Sequence, residues 1–167
     1  EITDRATVLL GKDKITPDSP EYLGINSALK FTAVKYDEKM ADDILDIALT
    51  MKKRVPLTIE QLAKKNPQFD RAYLEKALQA LSESGLVEFH WENLDGKNPN
   101  HEKRWVLDMF VPGSAEIMMI NPEQSDMFPE TADFFERMAY LPLAGITEMV
   151  PPGGAGIGMH VIPVEKA

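Results

Sequence analysis

The residues of this chain that could carry chemistry are defined first by a gap: among 167 residues there is no cysteine. Disulfides, thiol nucleophiles, zinc–thiolate sites and iron–sulfur clusters held by the chain itself are thereby excluded. His90, His101 and His160 stand far apart, and none has the spacing that puts two imidazoles on one helix face. No Gly-x-Ser-x-Gly elbow surrounds a serine, and Ser82, Ser84 and Ser114 fall in helix or turn contexts. The pair Asp42-Asp43 reads as a solvated helix face. No catalytic residue, cofactor-binding residue or metal site emerges from these patterns.

Pro152-Gly153-Gly154-Ala155-Gly156-Ile157-Gly158 has the glycine content of a loop that lets backbone N–H groups approach a phosphate. Such a loop needs Gly-Lys-Ser/Thr opening a helix, or a strand before it and a helix after. Met159 to Val164 supplies neither and contains Pro163, so the segment reads as a flexible linker. What remains is cationic. Arg71 and Lys76 lie on one segment, Lys97, Lys103 and Arg104 near His101 on another, and these five are the candidate DNA- or partner-binding residues. Asp70, Glu75 and Glu83 accompany the first set, and Glu92, Asp95 and Glu102 the second, a mixture ill suited to a phosphate backbone.

The elements that must position these residues are legible from periodicity. Met40, Ile44, Ile47, Ala48 and Met51 form the stripe of an amphipathic helix within residues 36–53. Pro56 breaks the chain. Thr58 with Gln61 then makes a capping box for a short helix, about Ile59 to Lys65, with Leu57 and Leu62 placed as a staple. Asp70 is the N-cap of a third helix carrying Leu74, Ala77, Leu78 and Leu81, with Phe69 placed to staple onto Leu74; Gly85 stops the helix and Leu86 folds back onto it. Val87, Phe89 and Trp91 alternate with charged residues, and Trp105, Leu107 and Met109 alternate again after a turn-rich loop. The pattern predicts a β-hairpin with a long tip, Trp91 facing Trp105 across it.

Helix, short helix, helix and hairpin in that order predict an α+β, mainly α fold: a winged helix-turn-helix of three helices plus a hairpin wing over residues 36–111. Residues 1–35 read as an N-terminal arm with one short helix. Residues 112–150 read as an irregular, partly helical C-terminal extension with one helix, over Pro129 to Met138. Met118-Met119-Ile120 and Met127-Phe128 stand out as apolar clusters placed either in local core or against another domain. Residues 151–167 read as a Gly/Pro-rich linker and strand leading to a downstream domain.

A net charge of −9 and a pI near 4.8 set a mean field that repels nucleic acid and anionic lipid. No apolar run approaches the roughly 20 residues needed to span a bilayer, and the first residues do not resemble a secretory signal. The expected compartment is the cytoplasm.

The succession of a winged helix, Phe110-Val111-Pro112-Gly113-Ser114-Ala115-Glu116, Phe134-Phe135-Glu136-Arg137-Met138 and Val161-Ile162-Pro163-Val164 resembles the amino-terminal region of bacterial iron–sulfur oxidoreductases. In those proteins the region precedes a cysteine-rich stretch that binds 4Fe-4S clusters, and in many of them a portion binding FAD and a pyridine nucleotide follows. The resemblance covers about residues 36–167. It implies a non-catalytic interaction or regulatory domain without a cofactor of its own, within a parent whose 4Fe-4S cluster and FAD lie past Ala167. Its partner would be the downstream redox domain or another protein. The competing expectation is a winged-helix DNA-binding transcriptional regulator.

Overall fold

The computed structural model describes residues 2–10, 15–93, 96–107 and 113–133. The architecture is α+β and mainly helical. Helices α1 (Ile2–Leu10), α2 (Pro20–Lys35), α3 (Glu38–Leu49), α4 (Ile59–Lys65) and α5 (Arg71–Glu83) precede an antiparallel hairpin of β1 (Val87–His90) and β2 (Arg104–Leu107). Two short helices, α6 (Ala115–Ile120) and α7 (Pro122–Met127), and a 3-10 turn at Pro129–Thr131 follow. Among the described residues no helix is long and apolar enough to cross a membrane.

Local chemistry sets the helix ends. The Asp37 carboxylate accepts from the Met40 amide at 2.7 Å and opens α3. Thr58 and Gln61 form the reciprocal capping box of α4, and the Asp70 carboxylate accepts from the Tyr73 amide at 2.8 Å to open α5. At the other end of α5, Gly85 takes φ +80°, the Leu86 amide reaches back to the Leu81 carbonyl at 3.0 Å and the Gly85 amide to Ser82 at 3.2 Å. That pair of bonds is the Schellman arrangement, and it satisfies carbonyls that would otherwise face apolar surroundings.

The core gathers Ile44, Ile47 and Ala48 of α3, Leu62 of α4, Leu74, Leu78 and Leu81 of α5, and Val87 and Leu107 of the hairpin. The stretch between α3 and α4 pairs with β2: Lys53 bridges Leu107 in parallel, and Leu57 and Trp105 exchange both backbone bonds at 2.9 Å. β2 thus runs between β1 and this connecting stretch, which ties α4 and α5 to the hairpin.

Residues 1–35 differ from the expected arm with one short helix. They hold α1 and the 16-residue α2, whose Ile25, Ala28 and Leu29 join the same core as α3 and α5. Helix α2 escapes periodicity because it is buried on several sides, polar residues included: Glu21, Ser27 and Thr32 are all buried. A helix covered all round has no apolar stripe to display.

Residues 113–133 likewise differ from an extension with one helix. Met118-Met119-Ile120 is helical, in α6; Met118 is 1% exposed against the core while Ile120 is 78% exposed. The start expected at Pro129 is a 3-10 turn. Phe110 to Pro112, Phe134 to Met138, Leu141 to Leu143 and the Gly153 to Val164 stretch lie outside the described residues.

Candidate interaction surface

The five cationic candidates fall on two elements. Arg71 is the first residue of α5, about 18 Å along the helix axis from the end that leads into β1. Its guanidinium is held between two carboxylates, Glu60 at 3.0 Å and Glu75 at 3.1 Å. Those contacts raise the Arg71 pKa, the hydrogen bond to Glu60 foremost. Lys76 lies over the Tyr36 ring at 5.5 Å from its centroid. The Tyr36 hydroxyl in turn donates to Glu83 at 2.8 Å, while Gln79 donates to the other Glu83 oxygen, also at 2.8 Å. Burial, then the bond to Glu83 and its charge, push the Tyr36 hydroxyl up to about 12. On the outward side of α5, then, Arg71 is answered by carboxylates, whereas Lys76 rests on a ring.

Lys97, Lys103 and Arg104 belong to the hairpin. Arg104 donates from Nη2 to the Lys97 carbonyl at 2.6 Å, which turns its guanidinium into a strut of the hairpin's own loop. Lys103 is different. Its Nζ lies 4.0 Å from the centroid of Phe89, 5.1 Å from that of Trp105 and 5.6 Å from that of Trp91. An ammonium over three ring faces is held by their quadrupoles.

The register corrects the expected facing of Trp91 and Trp105. Trp105 stands opposite Phe89, and Trp91 follows the last residue of β1. Trp105 is 7% exposed and belongs to the core, whereas Trp91 is 48% and Phe89 40% exposed. The rings of Phe89 and Trp91 meet edge to face at 5.3 Å. One face of β1 thus begins in the core at Val87 and continues past its edge as an open aromatic pair.

Asn98 holds this arrangement. It is buried, and its Nδ2 donates to the carbonyls of Glu102 at 2.9 Å, Trp91 at 3.2 Å and Glu92 at 3.3 Å. Its Oδ1 accepts from the Glu102 amide at 3.0 Å, and its own amide donates to Asn93 Oδ1 at 2.6 Å. His101, at φ +50°, brings Nδ1 within 3.0 Å of the Trp91 carbonyl. Both strands of the loop are fastened at the level of Trp91 and Lys103. The turn-rich loop of the sequence does not reveal this role of Asn98; the signal it carries is two asparagines, Asn93 and Asn98, each able to replace backbone partners.

An open cleft of 240 Å³ lies among α1, α2 and α3, lined by Arg5, Lys30, Glu38 and Asp42 among others. Arg5 is already engaged there, with the Asp42 carbonyl at 2.8 Å and Asp46 at 2.9 Å. Among the described residues no group of three or more His, Cys, Asp or Glu is arranged to hold a metal ion. With no cysteine in the sequence, the chain offers no thiolate to an iron–sulfur cluster. Set against protein-family models, curated proteins and solved structures, the chain finds no significant match.

Proposed function

We propose that this chain is a non-catalytic docking domain of winged-helix type, belonging to a cytoplasmic oxidoreductase that carries a 4Fe-4S cluster and FAD in its other residues. Support for the winged-helix part is the order α3, α4, α5, β1, β2 together with the pairing of residues 53–57 to β2. The redox parent is supported by the resemblance of Phe110 to Glu116 and of the closing Val161-Ile162-Pro163-Val164. No step of a redox reaction is assigned to residues of this chain.

The observation that carries the docking reading is the condition of the cations. A winged helix that reads DNA presents free basic residues on its third helix and wing. Here Arg71, at the start of the third helix, is held by Glu60 and Glu75, and Arg104 donates to the Lys97 carbonyl, while large apolar side chains stand open on the hairpin. Aromatic residues at the centre of a polar surface suit a protein partner better than a phosphate track.

Two measurements test the proposal. The coding sequence past Ala167 is expected to encode closely spaced cysteines, and the protein it specifies to show the visible absorbance of thiolate-ligated clusters. Removing residues 1–150 from that protein is expected to weaken partner binding or electron transfer while leaving the cofactor spectrum intact. A colourless product, or unchanged kinetics and unchanged partner binding, would sink it. Tight, steeply salt-dependent binding to duplex DNA would instead favour the regulator.

A further inference from the structure

We propose that the open end of the hairpin receives a partner-protein segment in which an aromatic or branched apolar side chain stands beside a carboxylate, the carboxylate going to Lys103. This rests on the docking reading above and is independent of the redox parent.

The geometry supplies both halves of such a site. Phe89 and Trp91 form an apolar surface that continues the buried face of β1 beyond the core edge, and 40% and 48% of the two residues remain exposed. Lys103 lies on that surface with its ammonium over three rings and, among the described residues, no carboxylate partner. Its situation is unlike that of the other ring-covering lysines of α2 and α3: Lys30 also holds Glu130, Lys35 holds Glu123, and Lys39 holds Asp43. A cation held only by rings keeps its full appetite for an anion, and an incoming carboxylate can bind it from the solvent side without breaking an ion pair. The apolar neighbour of that carboxylate then has Phe89 and Trp91 to cover.

Pre-organisation favours the same reading. Asn98 and His101 fasten the Trp91 carbonyl, so little backbone order remains to be created on binding. One cation over three rings matches one anionic group. A nucleic-acid strand would need a row of cations, and Glu88, Glu92 and Glu102, exposed on the same hairpin, oppose any ligand with several negative charges and leave room for one carboxylate at Lys103.

The 167-residue chain reports directly through Trp91 and Trp105, its two tryptophans. Their fluorescence is followed during titration with an end-blocked peptide carrying one carboxylate among apolar residues (Gly-Phe-Asp-Leu-Gly, the acidic peptide), its charge-reversed counterpart (Gly-Phe-Lys-Leu-Gly) and oligothymidylate. Saturable binding of the acidic peptide alone is expected, weakened by salt. Lys103→Met, which keeps the stem and removes the charge, is expected to weaken it about tenfold, the loss of one charge-assisted contact. Lys103→Arg is expected to retain it and Trp91→Ala to abolish it, both with unchanged circular dichroism and thermal midpoint. No response to the acidic peptide, equal binding of both peptides, or displacement of the acidic peptide by oligothymidylate overturns the inference. In the parent protein, lost partner capture on deletion of residues 1–150 but not in Trp91→Ala or Lys103→Met overturns the hairpin site and leaves docking standing. Unchanged capture in all three overturns docking itself.

Discussion

Gly85 and Met118 are in contact across the end of α5: a Cβ on Gly85 would lie 2.9 Å from Met118 Cγ and 3.0 Å from the Met118 backbone nitrogen. The glycine thus serves twice, as the left-handed residue that closes α5 and as the bare backbone on which α6 is seated. Met118 is buried by this approach, so the seat of the extension depends on an atom that is missing rather than on one that is present.

Substitution can separate the two roles. Gly85→Asn tolerates the positive φ but adds the Cβ, and Gly85→Ala suffers both effects. The expected order of stability is glycine, then asparagine, then alanine, with Gly85→Ala losing about 2 kcal/mol in denaturant unfolding. Equal midpoints for glycine and asparagine would mean that Met118 yields without cost.

Ser27 is the hub of a buried polar contact between α2 and the extension. Its hydroxyl oxygen lies 3.1 Å from Gln124 Nε2 and 2.7 Å from Thr131 Oγ1. Ser27→Ala removes one oxygen and takes from buried Gln124 Nε2 its hydrogen-bond partner, while Thr131 Oγ1 keeps the Phe128 carbonyl at 2.9 Å; the loss costs about 1 to 3 kcal/mol although no apolar volume is lost. The check is a thermal melt beside Ser125→Ala, which removes a half-buried hydroxyl that donates to the Met119 carbonyl and is expected to cost less.

Alkaline titration has a definite sign. An unfolded tyrosine ionises near 10, and the native Tyr36 hydroxyl is held up to about 12 by burial, then by Glu83. Its contribution to stability is whole below the unfolded value and declines as pH rises from there through the native one. For Glu83, burial pushes the carboxyl up, but hydrogen bonds from Gln79 and Tyr36 and the charge of Lys35 outweigh it, so its value is lowered. That contribution is present above 4.5 and is lost as pH falls through the lowered native value. Tyr36→Phe is therefore expected to remove the latest tyrosinate absorbance step and to move the onset of acid unfolding to higher pH. Unchanged titration at both ends would show that the Tyr36–Glu83 bond is not kept in solution.

Asn98→Ala leaves the backbone groups of Trp91, Glu92 and Glu102 without their common partner. Loss of about 2 kcal/mol of local protection is expected, seen as faster amide exchange at Glu102, with the global unfolding midpoint little changed. If the midpoint falls as far as the local protection does, the loop unfolds only with the whole domain.

The parts legible in the sequence were those whose cause is local. Asp37, Thr58 with Gln61, Asp70 and Gly85 each cap a helix through atoms within a few residues, and each is found doing so. What escaped depends on distant neighbours. Helix α2 has no stripe because α1, α3 and the extension cover it from different sides, and α6 is recognisable only once Gly85 is seen to receive Met118. The hairpin was legible as alternation, but its register was not. The loop anchored by Asn98 places Phe89, not Trp91, opposite Trp105, and this two-residue difference turns an expected core tryptophan into an exposed one. The cationic residues were all visible by type; which of them were already paired was visible in none.

The bonds from Ser27 to Gln124 and Thr131 span 97 and 104 positions of the chain. During synthesis, α2 emerges early with a polar spot whose partners, Gln124 and Thr131, follow it out only about a hundred residues later. The hairpin and its flanking helices can assemble from nearby contacts in the meantime, whereas α2 must wait, its inward hydroxyl served by water. Sealing that spot is a late and slow event, and a nascent chain stalled before Thr131 would leave α2 open to chaperones and proteases.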